Sequence, residues 1–73
     1  MDAYQSLANA IVIQACRDYK KAYRRYLRRL HSTSKPDIEL LELEDFFRSK
    51  WYKILTDIDG ELLMERIRKE VRV

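Results

Sequence analysis

The stretch from Tyr4 to Leu30, YQSLANAIVIQACRDYKKAYRRYLRRL, decides the fold. It contains no Pro or Gly, so no residue in it interrupts a helix. At about 100° per residue its apolar side chains fall on one side, with Tyr4 and Ala22 at the edge. This apolar stripe consists of Ala8, Val12, Ala15, Cys16, Tyr19, Tyr23, Tyr26 and Leu30. We therefore predict one long amphipathic helix of roughly 40 Å, with shorter elements packed along it.

The opposite side of this helix is strongly basic, and we predict that it binds a partner. Its cations are Arg17, Lys20, Lys21, Arg24, Arg25 and Arg28. Ile13 also points away from the apolar stripe. The N-terminal end of the helix is therefore predicted either to be covered on two sides or to lie in an interface.

The apolar stripe allows two interpretations. Small and large residues recur every seven positions, which suits close packing of a neighbouring helix. That neighbour can belong to the same chain, or the stripe can form the seam of a homodimer. Only about three heptads fit into the stretch, and a supercoil needs three or four, so the intramolecular core is favoured.

Length and composition indicate one helical domain spanning residues 1–73. One Gly and one Pro leave few turns, which favours helices over strands. The single Cys forms no internal disulfide and is typical of a reducing compartment. The first residues do not resemble a signal peptide, and the longest aliphatic run, 10–13, is too short to span a bilayer. We expect a cytoplasmic protein with no membrane partner.

Charge is divided unevenly along the chain. Residues 1–36 carry eight Lys or Arg and two acids, for a net charge of +6. Residues 37–73 carry seven Lys or Arg and ten acids, for a net charge of −3. The two halves can attract each other within the fold or present a dipolar surface to a partner.

After a linker at 31–36, a second helix is predicted from Lys35 or Pro36 to Arg48, with Ser34 as its N-cap. Its predicted buried row is Leu40, Leu43 and Phe47, continued by Trp51 and Ile54.

Ser49 leaves two alternatives: one helix running on to Leu55, or a bend with Ser49 capping a short extra helix, which is slightly favoured. The aromatic cluster at 46–52 is predicted to be core rather than a platform for stacking bases. A last helix is predicted from Ile58 to Val71, capped by Thr56 or Asp57. Its predicted stripe is Leu63, Ile67 and Val71, with Met64 beside it.

The motifs of catalysis and of cofactor binding are missing from the sequence. One Gly excludes a glycine-rich phosphate loop, and Cys16 and His31 are the only soft metal ligands. The Asp57-x-Asp59-Gly60 sequence resembles part of a calcium loop, but an EF-hand in that register would begin at Leu55 and end at Arg66, neither of which is a ligand. We expect no enzyme activity, no metal and no cofactor.

The fold class predicted from these elements is all-α. Three helices form a bundle around the long N-terminal amphipathic helix, and a bend at Ser49 adds a short fourth helix.

Three stretches together resemble a known family. They are 10–19 (AIVIQACRDY), 43–52 (LEDFFRSKWY) and 55–63 (LTDIDGELL). They are similar to a family of very small, mostly uncharacterised helical proteins encoded on phages and integrative mobile elements of Firmicutes, over about Ala10 to Arg68. The resemblance implies a bacterial cytoplasm and a mobile-element gene, and it assigns no role to any residue.

Three functional hypotheses follow. In the first, the basic face engages a host protein with an acidic or nucleic-acid-binding surface, as an anti-CRISPR-like inhibitor of a defence system would. In the second, the same face contacts phosphates and the protein is a small nucleic-acid-binding regulator. In the third, the basic face is only the solvated surface of a scaffold.

Overall fold

The protein is all-α, as the sequence predicts. A computed structural model describes residues 3–30 and 37–72. The helices are α1 (Ala3–Arg29), α2 (Ile38–Arg48), α3 (Lys50–Leu55) and α4 (Gly60–Arg72). One cluster of buried side chains joins all four helices. The linker at 31–36, with His31 and the predicted cap Ser34, lies outside the described residues.

Helix α1 organises the fold, since α2, α3 and α4 all pack against it. Its buried residues are Ala8, Val12, Ala15, Tyr19, Ala22 and Tyr23. Ala22, predicted at the edge of the stripe, is fully buried, and its small side chain allows a neighbouring helix to approach closely. The middle of the apolar stripe is thus covered by the chain's own helices, which favours the intramolecular interpretation over a homodimer seam.

The apolar stripe is covered less completely at both ends than predicted. Tyr26 and Leu30 are 37% and 47% exposed, and Tyr4 is 55% exposed. The reason is length: α1 has 27 residues, whereas the helices that cover it have 11, 6 and 13. The shorter helices leave the first and last turns of α1 uncovered.

Helix α2 begins later than predicted. Asp37 has extended backbone angles, so the helix starts at Ile38 and not at Lys35 or Pro36. The Asp37 side chain is the N-cap, and it accepts a hydrogen bond from the Leu40 backbone N–H at 3.1 Å.

Ser49 separates α2 from α3, which confirms the bend. Its backbone is extended, and its hydroxyl donates to the Phe46 carbonyl and accepts from the Tyr52 N–H. The break shifts the helical phase, so the prediction that Trp51 and Ile54 continue the buried row is wrong. These two side chains are 52% and 62% exposed. Tyr52 and Leu55 are buried instead, so the aromatic cluster at 46–52 is core except at Trp51.

The last helix also begins later than predicted, at Gly60 instead of Ile58. Asp59 caps it by accepting hydrogen bonds from the N–H groups of Glu61 and Leu62. The predicted cap Thr56 instead ends α3 and accepts a hydrogen bond from the Ile58 N–H. The predicted stripe of α4 is correct, with Met64 and Ile67 buried and Leu63 and Val71 packed against the core.

Candidate partner-binding surface on helix α1

The structure divides the six predicted partner-binding cations into two groups. Arg17, Lys21, Arg24 and Arg28 are exposed, and none of them pairs with a carboxylate among residues 3–30 and 37–71. We call these four residues the basic ridge. Lys20 and Arg25 lie at the two flanks of α1 and are less exposed.

Each flanking cation is paired within the chain. The Lys20 ammonium lies 3.6 Å from a carboxylate oxygen of Glu70 on α4. Arg25 donates two hydrogen bonds to Asp37, at 3.1 and 3.0 Å, and one to Glu39 at 3.2 Å. Lys20 therefore links α1 to α4, and Arg25 links α1 to the N-cap and first turn of α2, so both cations are engaged within the chain.

The Arg25–Asp37 pair combines charge with helix capping. The hydrogen bonds from Arg25 hold the pKa of the Asp37 carboxyl below its ordinary value, with a further contribution from the Leu40 N–H. The same hydrogen bonds raise the pKa of the Arg25 guanidinium. The Asp37 carboxyl is therefore charged in the folded protein at neutral pH. In this form it binds Arg25 of α1 and caps the start of α2.

The basic ridge is straight and regularly spaced. Its four residues are separated by four, three and four positions, so they follow one line along α1 for about 16 Å. Like charges four residues apart on a helix repel each other by roughly 0.2–0.5 kcal/mol per pair. A partner that places carboxylates or phosphates along the ridge would relieve this repulsion.

The ridge continues into an apolar segment toward the N-terminus of α1. Ala10 and Ile13 lie on the same side of the helix as the ridge, and both are exposed, Ile13 by 52%. We call the ridge together with Ala10 and Ile13 the outer face of α1. The predicted orientation of Ile13, away from the apolar stripe, is confirmed.

A partly buried polar network around Tyr19 was missed in the sequence. Tyr19 is fully buried, and its hydroxyl donates to Glu44 at 2.9 Å and accepts from Arg68 at 3.0 Å. Glu44 also lies within ion-pair distance of Arg48 and Arg68. Burial and the Glu44 carboxylate raise the pKa of Tyr19 to about 12. The helical pattern gave no signal for this network, because periodicity within one helix does not show which polar side chains of other helices it meets.

An apolar groove between α1 and α2 was also missed. It has a volume of about 430 Å³, and its apolar walls are formed by Ile11 and Ala15 from α1 and by Leu43 and Phe46 from α2. The run of apolar residues at 10–13 was the available signal, since it makes this end of α1 apolar on more than one side.

Cys16 is the remaining candidate side chain, and it packs against the core. Cys16 is half-buried against the core, and burial raises the pKa of its thiol, which lowers the thiolate fraction that a nucleophile needs. Within the described ranges, no group of three or more His, Cys, Asp or Glu side chains is placed to hold a metal ion. None of the four helices is both long and apolar enough to cross a bilayer.

No protein-family model matches the chain, and no curated protein or solved structure matches it.

Proposed function

We propose that this chain is a non-catalytic binding protein whose outer face of α1 engages another protein. The observation that supports this proposal best is the composition of that face, in which an exposed Ile13 adjoins a ridge of cations that no described carboxylate neutralises. Protein interfaces combine an apolar centre with charged residues and are enriched in Arg. Three of the four ridge cations are Arg, whose planar guanidinium group can bind a carboxylate through two hydrogen bonds.

The partner surface should therefore be acidic beside an apolar depression. A ligand-binding surface with an acidic part and an apolar part meets this description. An acidic site on a defence nuclease is one example. We propose a bacterial cytoplasmic setting and a mobile-element origin, in which the chain acts as a stoichiometric inhibitor. The resemblance in three sequence stretches supports this setting, and the charge pattern of α1 supports the mode of binding.

A nucleic-acid partner fits the face less well. The four ridge cations suit phosphates, but Ile13 would face a phosphate backbone without a matching apolar group. The start of α4, which is the position of the recognition helix in a helix-turn-helix unit, presents the cap Asp59 and Glu61, and carboxylates repel phosphate.

The proposal is tested by affinity capture from a bacterial lysate with the intact chain and two double variants. In Arg24→Glu with Arg28→Glu, two exposed ridge cations are reversed. In Lys53→Glu with Arg66→Glu, two exposed cations away from the ridge are reversed, with the same change in net charge. We expect the first variant to lose the captured protein and the second to retain it, with the helical content of both unchanged by circular dichroism.

Titration of labelled duplex DNA, single-stranded DNA and RNA separates the two partner classes. If the ridge bound four phosphates of duplex DNA, the logarithm of the affinity would fall with the logarithm of salt concentration with a slope of about −3.6. Such a slope, together with unchanged protein capture by the ridge variant, would replace the proposed function by nucleic-acid binding.

A further inference from the structure

The apolar groove between α1 and α2 has one charged residue among its lining side chains. Its walls are apolar except for Gln14 and Asp18 on the α1 side. Asp18 is half-buried, and its carboxylate accepts a hydrogen bond from the Gln14 amide at 3.0 Å. No cation among residues 3–30 and 37–71 pairs with it. Because a carboxylate has about four acceptor positions, Asp18 can accept further hydrogen bonds at the edge of the groove.

The groove adjoins the outer face of α1. Ala10 lines the groove and also belongs to the outer face. At about 100° per residue, Ala10 lies between Ile13 and the groove wall Ile11 around the helix, and the three residues lie within about 5 Å along its axis. An apolar surface therefore runs from Ile13 over Ala10 into the groove. A protein bound to the outer face can reach the groove through the same contact.

We propose that the protein bound to the outer face inserts a Trp side chain into this groove. This inference rests on the proposed function, since it names the residue that anchors that partner. The indole ring fills the groove and packs against the Phe46 ring, and the indole N–H donates to the Asp18 carboxylate. The groove volume of about 430 Å³ lies within the range of ~300–1,000 Å³ that is usual for sites binding small organic groups.

The combination of apolar walls and one carboxylate favours this chemistry. An aliphatic side chain would cover Asp18 without offering it a hydrogen bond, and burying a carboxylate in that way is costly. A Lys or Arg would offer donors, but its charged group would lose its water among the apolar walls. Trp has a large apolar ring with a single polar group that only donates, and hydrogen bonds to a carboxylate are strong. Trp is also enriched among the residues that dominate binding energy at protein interfaces.

The first experiment titrates the intact chain with N-acetyl-tryptophanamide and follows proton–nitrogen correlation NMR spectra. The backbone signals of Ala15 and Leu43 and the side-chain amide signal of Gln14 should shift, with a dissociation constant on the order of 1 mM. The matched probe carries a methyl group on the indole nitrogen. It keeps the ring but has no N–H, so it should bind about tenfold more weakly. N-acetyl-argininamide should leave the groove signals unshifted.

Asp18→Ala tests which group receives the indole N–H. It should weaken binding of the tryptophan probe about tenfold and leave binding of the methylated probe unchanged, because that probe has no N–H to donate. Glu65→Ala removes an exposed carboxylate on α4 and is the matched control, which should alter neither binding. Circular dichroism checks that both variants remain helical. Equal affinities of the two indole probes would overturn the proposal, and so would groove shifts that only the arginine probe produces.

Capture from the bacterial lysate separates this inference from the proposed function. Asp18→Ala should reduce the amount of partner captured, because it removes the acceptor of the anchoring side chain. Unchanged capture by Asp18→Ala, together with loss of capture by Arg24→Glu plus Arg28→Glu, would overturn the groove anchor and leave the proposed function standing. Full capture by the ridge variant would overturn the proposed function itself, whatever the probe titrations show.

Discussion

Gly60 at the start of α4 lies against the carbonyl oxygen of Phe47 in α2, so that a Cβ at position 60 would stand 2.1 Å from that oxygen. No side chain other than hydrogen fits there unless one helix backbone moves. The only glycine of the chain thus lies where the backbones of α2 and α4 are in close contact.

Gly60→Ala should destabilise the fold. Alanine would gain up to about 1 kcal/mol of helix propensity. The clash is with backbone atoms, which cannot rotate away, and overpacking of this kind costs about 1–3 kcal/mol or more. We expect a lower free energy of unfolding in a denaturant titration. Leu62→Ala, two residues later at an exposed position, should stay within about 0.5 kcal/mol of the unaltered chain. Equal free energies of unfolding for Gly60→Ala and the unaltered chain would mean that α4 does not lie against the Phe47 carbonyl of α2.

Tyr19→Phe should also destabilise the protein, because it keeps the ring packing but removes the hydroxyl between Glu44 and Arg68. Hydrogen bonds to charged groups contribute about 1.5–3 kcal/mol each, and the direct pairing of Glu44 with Arg68, at 3.5 Å, compensates for part of the loss. We expect a decrease of about 1–2 kcal/mol in the free energy of unfolding. Tyr26→Phe, at a partly exposed position on the same helix, serves as the control and should change little.

The same hydroxyl predicts a pH dependence at the alkaline end. The pKa of Tyr19 is about 12 in the folded protein, above its ordinary value of 10.0. The unfolded chain therefore loses this proton first as the pH rises, and the stabilisation present below the ordinary value is lost between the two values. The difference amounts to about 1.4 kcal/mol near pH ~11. The melting temperature of the unaltered chain should exceed that of Tyr19→Phe at neutral pH, and the two melting temperatures should become nearly equal near pH ~11. A difference that does not change with pH would contradict this assignment.

Arg25 and Arg24 are neighbours in sequence, yet their substitution should have opposite consequences. Arg25→Gln removes the hydrogen bonds to Asp37 and should lower the melting temperature, whereas Arg24→Gln should leave it unchanged. Because the pKa of Asp37 is lowered in the folded protein, the stabilisation is present above the ordinary value of 3.8 and is lost as the pH falls through the folded value. Melting temperatures of the two variants at neutral and acidic pH check both statements. Equal melting temperatures for the two variants would show that the Arg25–Asp37 pair adds no stability.

Much of this fold could be predicted from the sequence, because helical periodicity records which side of each helix is buried. The middle of the stripe on α1 and the row on α4 follow from that pattern. The break at Ser49, the favoured one of two alternatives, follows from the capping preference of serine. The exposure of Leu30 could not be predicted, since it depends on how far the shorter helices reach along α1. The exposure of Trp51 and Ile54 has a related reason: a break of one residue shifts the phase of everything after it.

The cations of the candidate surface could be predicted from the sequence, but their division into exposed ridge residues and residues paired within the chain could not. Periodicity places Lys20 and Arg25 beside the ridge, and only the positions of α4 and α2 show that Glu70 and Asp37 neutralise them. The Tyr19–Glu44–Arg68 network could not be predicted for the same reason. Tyr19 is separated in the chain from Glu44 by 25 residues and from Arg68 by 49 residues.

The central claim is that the outer face of α1 binds a protein through its apolar and its basic parts together. The most direct measurement compares capture of the partner by Ile13→Ser with capture by Arg24→Glu plus Arg28→Glu. Ile13 is exposed, so its substitution should leave the fold intact. We predict that both variants lose the partner, because a protein interface needs the apolar contact as well as the charges. Full capture by Ile13→Ser, with loss only in the charge-reversed variant, would contradict the claim and assign the face to charge recognition alone.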